Sequence, residues 1–203
     1  NYLDTNYQAG AEGLAYAADR GLGIVIMEPL RGGSLSRNLP ATVNQVFEQS
    51  GFKRTPVEWA LRWLFDDPRI STVLSGMSAI EHVEENLRVA AQAGAQTFSE
   101  KEKEVMLLAQ AAFKSRIKIP CTSCGYCMPC PSGVDIPKNF QMYNNFHMLD
   151  ESFQQTVRMQ YGFQVASAAH ASNCVKCGRC ETHCPQQISI MKELANVKAV
   201  FEH

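Results

Sequence analysis

Every cysteine of the chain lies in one of two short stretches. CTSCGYCMPCP spans residues 121–131, CVKCGRCETHCP spans residues 174–185, and each holds four of the eight. Glycine and proline sit among them, and glycine lets backbone wrap closely around whatever the sulfurs hold. The part of the chain after Pro120 is therefore built around two groups of thiols, and its fold has to serve them.

The second run reads Cys, two residues, Cys, two, Cys, three, Cys, Pro, which is the ligand signature of an iron–sulfur site. Soft sulfur ligands favour iron–sulfur clusters, zinc or copper(I). Eight cysteines suit two zinc ions arithmetically, but zinc sites usually present two separated pairs. Disulfides belong to oxidising compartments, and no targeting segment opens the chain, so a reducing cytoplasm is the expected setting. The expectation is two [4Fe–4S] clusters. In two-cluster ferredoxins three cysteines of a run bind one cluster and the fourth binds the other. On that rule Cys121, Cys124 and Cys127 join Cys184, while Cys174, Cys177 and Cys180 join Cys130. The first run has two residues before its last cysteine where three are usual, and an arrangement taking all four ligands from one run stays open. His183, inside the second run, reads as a spacer or a neighbour of the ligands.

Length and composition allow two domains: 203 residues, 45% hydrophobic. The net charge of -1 offers no basic stripe for nucleic acid, and basic clusters such as residues 114–118 read as solvated surface. No apolar stretch is long enough to span a membrane. The chain opens Asn1-Tyr2-Leu3-Asp4 without methionine, so it reads as a piece of a longer protein.

Before the cysteines the pattern alternates. Residues 12–20 read as a helix with Leu14, Ala17 and Ala18 on one face. Ile24–Met27 is a continuous apolar run, expected as a strand buried on both faces. Beyond Gly32-Gly33 an irregular polar loop leads to a helix capped by Thr55 and opened by Pro56. A second strand at 70–74 follows. Then comes a helix from Ser78 or Ala79, with Ile80, Val83, Leu87 and Ala90 facing inward. Ser99 to Glu102 forms a capping box opening a further helix to about residue 114. Strand and helix in alternation argue for a parallel sheet, which two strands cannot complete. Residues 115–120 read as a linker. Between the cysteine runs, Phe140, Tyr143, Phe146 or His147, and then Phe153, Val157 and Tyr161, repeat at helical spacing. They predict two helices with an aromatic core packed against the cofactors, and residues 190–200 a last helix.

The stretches LGIVIMEPLRGG, QAGAEGL, ALRW and VLSGMSAIEHVEEN together resemble the C-terminal part of an aldo-keto reductase. With the two cysteine runs, the chain resembles the subgroup carrying a C-terminal, helical two-cluster ferredoxin-like domain. The resemblance implies an α/β fold: residues 1–114 as the last portion of a (β/α)8 TIM barrel, then 121–203 as the iron–sulfur domain. It places Ile24–Met27 in the seventh strand, Ser71–Leu74 in the eighth and Tyr2 at the end of the sixth. It implies NAD(P)H, reduction of a small carbonyl substrate, and a redox protein as partner of the clusters. The family's catalytic tyrosine, lysine, aspartate and histidine come from earlier strands. The chain therefore requires an N-terminal half-barrel and has no turnover alone. Tyr2 and Tyr16 read as packing residues.

Carried over residue by residue, Glu85 and Asn86 match an acidic-asparagine pair at the adenine end, and Met27 stands where many members stack an aromatic ring. Gly76 and His82 replace the lysine and arginine that hold the 2′-phosphate, which leaves NADPH selectivity without its usual charges. Arg31, beside the glycine turn, is a candidate for the pyrophosphate. Hydride transfer moves two electrons while a cluster takes one, and no flavin site is legible. A non-catalytic iron–sulfur electron-transfer, structural or docking module is therefore the alternative reading.

Overall fold

The computed structural model describes residues 1–6, 9–37 and 39–202. It divides into two compact units, Asn1–Phe113 and Lys114–His203. The first contains α1 (Gly10–Ala18), β1 (Val25–Ile26), α2 (Ala41–Gln49), α3 (Pro56–Phe65), β2 (Thr72–Val73), α4 (Ile80–Gln92) and α5 (Glu100–Lys114, whose last residue falls beyond the division). The second contains α6 (Ile136–Met148), α7 (Gln154–Gln164), α8 (Arg179–Thr182) and α9 (Ile190–Phe201). Among the described residues no helix is long and apolar enough to cross a membrane.

β1 and β2 pair in parallel, Val25 opposite Thr72 and Ile26 opposite Val73. The Ser71 and Leu74 amides donate to the Ile24 and Ile26 carbonyls at 2.9 Å. Among the described residues the sheet has these two strands, which do not by themselves make a barrel portion. Nor is the β1 segment buried on both faces: Ile24 is covered, whereas Val25 is 54% and Met27 72% exposed. A two-stranded sheet has too few neighbours to cover an unbroken apolar run.

α3 forms as its sequence dictates. Thr55 accepts from the Glu58 amide at 3.0 Å, and Pro56 occupies the first turn, where its missing N–H costs nothing. Val57 and Leu61 pack with Val89 of α4, and Leu30, Phe65 and Val73 lie against them. α4 is rotated from its expected face. Val89 is fully buried, while Ile80 and Leu87 are each 65% exposed and Ala90 also faces out. The rotation has a polar cause: Glu85 accepts from the Thr55 hydroxyl at 2.7 Å and Asn86 donates to the Ser75 hydroxyl at 3.1 Å, turning that side inward. On α1, Leu14, Ala17 and Ala18 are only half-buried.

The stretch expected as a polar loop contains α2, which buries Val43 and Phe47. Phe47 stacks on Trp59 at 5.5 Å, and Phe52 and Phe98 meet the same indole edge-on. Arg54 lies over the rings of Phe52, Trp59 and Phe98 and pairs with Glu102 and Glu58. Glu102 closes the capping box: its carboxylate accepts from the Ser99 amide and hydroxyl at 2.6 Å, and its own amide donates to the Ser99 hydroxyl at 3.3 Å. Burial opposes charge on Glu102, yet the Ser99 bonds and the Arg54 guanidinium hold its carboxyl below the usual range.

In the second unit the aromatic residues form a core with a polar tie. Phe140, Phe146, Val157 and Tyr161 are buried, and Tyr161 stacks on Phe201 with centroids 4.4 Å apart. Asn139, fully buried, accepts from the Tyr161 hydroxyl at 2.7 Å and donates to the carbonyls of Asp135 and Ala169. Glu202 accepts from the same hydroxyl and from the amides of Ala171 and Ser172. Residues 115–120, expected as a linker, include a segment held on α6. Asn144 accepts from the amides of Lys118 and Ile119, donates to the Ile119 carbonyl, and leaves Ile119 fully buried.

Two tests follow from this packing. N139L removes one hydrogen bond from each of the Tyr161 hydroxyl and the Asp135 and Ala169 carbonyls, which keep Glu202, the residue-139 amide and the Asp135 amide as partners, and should cost about 0.5–1.5 kcal/mol per lost bond in urea denaturation. Because the folded pKa of Glu102 is lowered, its contribution is present above the unfolded carboxylate pKa and is lost as pH falls through the folded value. The stability gap between wild type and E102Q, read from urea midpoints, should therefore close as the solution is acidified.

Candidate metal centre

The two cysteine runs carry the same backbone pattern. In the first, Ser123 (φ 56) and Gly125 (φ 78) follow Cys121 by two and four residues; in the second, Lys176 (φ 57) and Gly178 (φ 76) follow Cys174 likewise. Left-handed residues at these places curl the chain so that successive sulfurs turn toward one centre. The correspondence continues past the fourth cysteine. Gly133 (φ 78) stands three residues after Cys130, and Gln187 (φ 52) three after Cys184. Next come buried Val134 and Ile136 in one half, buried Ile188 and Ile190 in the other. The Ile136 amide donates to Val134 and the Ile190 amide to Ile188, and each isoleucine is the first residue of a long helix, α6 or α9. The unit is thus a pseudo-repeat of loop and helix, twice.

Its written trace is CPSGVDIP beside CPQQISIM, with apolar residues four and six places after the last cysteine. Reading the runs for cysteine spacing alone misses it, because the shared feature lies beyond the ligands. The halves differ in one respect within the runs. The extra residue before Cys184 accommodates the short helix α8, whereas the first run turns through a Met128 amide bond to the Gly125 carbonyl and a cis Met128–Pro129 peptide.

The sulfurs fall around two cavities. Cys121, Cys124, Cys127 and Cys184 line the first, of about 330 Å³ with the solvent at its mouth, together with Ile136, Phe140, Ile188 and Ile190. Cys130, Cys174, Cys177 and Cys180 line the second, which is more open, about 1190 Å³ with the solvent at its mouth. Cys127 borders both cavities, as does Ile136. His183 lines the second cavity with Arg179. Of the aromatic stripe, Phe140 alone borders the first cavity, while Tyr161 belongs to the polar tie.

All eight cysteines are free thiols. Among the described residues no three His, Cys, Asp or Glu side chains converge on a point for a single ion. One zinc would draw four sulfurs to about 2.3 Å from itself. Four thiols line each cavity, and this all-sulfur donor set is the one that iron–sulfur clusters take. Burial pushes the Cys127 thiol up to about 11, with the neighbouring cysteines adding to it, and raises Cys121 and Cys180 as well. Loading these ligands therefore releases protons.

The candidate nucleotide contacts in the first unit are turned to internal work. Arg31 pairs with Asp4 at 3.0 Å, and Asn1 donates to the same carboxylate. Glu85 is bonded to Thr55 and Asn86 to Ser75, as above. Gly76 and His82 are exposed, as is Met27. Tyr2 is buried between Trp63 and Phe113, as a packing residue is, whereas Tyr16 is 59% exposed and lies under the Arg20 guanidinium at the surface rather than in a core.

Residues 2–102 match the aldo/keto reductase family, and residues 120–189 match the 4Fe-4S dicluster domain. No curated protein and no solved structure matches the chain.

A Cβ at Gly133 would stand 3.1 Å from the Ala168 carbonyl, whereas at Gly125 it would meet open space. Both positions are left-handed, so alanine costs about 1–2 kcal/mol of backbone strain at either. G133A adds a steric clash with rigid backbone. Thermal melting of the iron-loaded protein should fall further for G133A than for G125A.

Proposed function

We propose that this chain, which joins an aldo/keto reductase domain to a 4Fe-4S dicluster domain, is part of a nicotinamide-dependent carbonyl oxidoreductase that passes electrons through two clusters. One cluster is held by Cys121, Cys124, Cys127 and Cys184, the other by Cys174, Cys177, Cys180 and Cys130. The observation that carries the reading is the lining of the two cavities: Cys184 joins Cys121, Cys124 and Cys127 at the first, and Cys130 joins Cys174, Cys177 and Cys180 at the second, with Cys127 bordering both.

In this reading the nicotinamide supplies hydride, and the clusters supply single-electron steps. The chain's own residues provide the shells. Ile136 separates the cavities, Phe140 and Ile190 keep water from the first, and the left-handed residues aim the sulfurs. The carbonyl substrate, the choice between NADH and NADPH, and a redox protein partner belong to the same proposal. So do a reducing cytoplasmic setting and a catalytic tyrosine and lysine supplied by barrel strands other than these.

A second reading has its own support: Arg31, Glu85 and Asn86 are engaged within the unit, which suits an electron-transfer module that does not bind nucleotide. Titration with NADPH and NADH by calorimetry separates the two, since the module reading expects no binding by a chain that also contains the remaining strands.

The ligand sets are tested by iron and sulfide content after anaerobic loading. C124S and C184S should each lose the same cluster, and their combination should lose no more than either alone. C124S with C177S should lose both. Equal, additive losses in C124S and C184S would instead assign each run its own cluster. Residues 1–203 alone should not oxidise NADPH with a carbonyl acceptor, and turnover would place catalysis within this chain.

A further inference from the structure

The repeat that builds two similar cavities does not charge them alike. No charged side chain lines the first cavity among the described residues; its walls are apolar, with Thr122, Ser123 and Gln186 as polar neighbours. Arg179 lines the second. From 121 to 135 the sequence holds one charged residue, Asp135, whose carboxylate caps α6, and from 174 to 189 its charged residues are Lys176, Arg179 and Glu181. The Glu181 carboxylate accepts from the Met191 amide at 2.9 Å at the start of α9, close enough to Cys180 to oppose its ionisation, so it offsets part of the positive charge there. Arg179 has no ion-pair partner among the described residues; it is exposed at the rim of the second cavity, where the cation meets both the cavity and water. A guanidinium stays protonated at any working pH.

We infer that Arg179 makes the two clusters unequal, so that the one held by Cys130, Cys174, Cys177 and Cys180 takes the first electron. This rests on the cluster assignment proposed above. Reduction adds one negative charge to a centre already surrounded by thiolates. A fixed cation in the wall favours that added charge, and net charge and solvent exposure are among the quantities that set a cluster's potential. The wider mouth of the second cavity acts in the same direction, because water also stabilises added charge, whereas the apolar wall of the first opposes it. One contact works the other way: the Ser123 amide donates to the Cys121 sulfur at 3.4 Å. It is a neutral dipole at long range, set against a full charge. Electron balance is simple, since each cluster takes one electron from the reductant and no bond is made or broken.

The test is a dithionite titration of the anaerobically loaded chain, followed by low-temperature EPR at poised potentials. Two reduction steps are expected in wild type. R179Q should move the higher step down while leaving the lower one in place, and R179K should restore it. C174S should perturb the higher step and C124S the lower. Q186K, which puts a cation into the wall of the first cavity, should raise the lower step and narrow the gap. The inference is overturned if R179Q moves neither step, or if it moves the step that C124S perturbs. A single coincident step in wild type also overturns it. Iron and sulfide content keeps its failure apart from that of the cluster reading. A chain that binds no clusters defeats both, whereas a fully loaded chain with an unmoved step defeats the inference alone.

Discussion

The second unit is organised by the difficulty of gathering thiols. Sulfurs brought together under apolar cover resist ionisation, which is why burial raises the Cys127 thiol to about 11. Ligation needs them as thiolates, so the loaded state and the folded state support each other. A loop alone cannot hold such an arrangement. Here each loop is bounded by a helix whose first isoleucine plugs a cavity wall, and α6 and α9 are tied through Asn139, Tyr161 and Glu202 to the short turn just before Cys174. The polar tie is thus the means by which the helical core fixes the starting point of the second run.

Much of this was legible. Cysteine spacing is a direct record of ligand chemistry, so an iron–sulfur cofactor could be read without the fold. Thr55-Pro56 and the Ser99–Glu102 box are local signals acted on by local hydrogen bonds, and both helices start where expected. The face of α4 was not legible, because apolar periodicity was outweighed by Glu85 and Asn86, whose partners Thr55 and Ser75 lie on other elements. α2 was hidden for a related reason: its buried residues, Val43 and Phe47, are few, and its stability comes from an indole supplied by α3. The cover over β1 was overstated, since an apolar run records what a strand can be buried by, not how many neighbours it has.

In the first unit, the polar groups that looked free for a ligand in the sequence turn out to have structural duties. Arg54, which was no candidate in the sequence, has a structural duty too: it is enclosed by three rings and paired to two carboxylates. Arg31 joins the turn after β1 to the start of the chain through Asp4. A nucleotide would have to compete with these contacts, and the energy of an existing ion pair is then subtracted from any affinity gained.

The pseudo-repeat separates two questions that cysteine counting merges. Shared left-handed positions and shared helix starts explain why there are two sites of one kind. The places where the halves differ explain why the sites need not behave alike. Tyr126 in the first run corresponds to Arg179 in the second, and Ser123 to Lys176, with no change in the backbone that carries them. Substitutions at these positions leave the ligands and the curl of the chain untouched while altering the field in the cavities. On the proposed ligation the fold makes two similar centres, and a few outward side chains between the cysteines are free to set the order in which electrons occupy them.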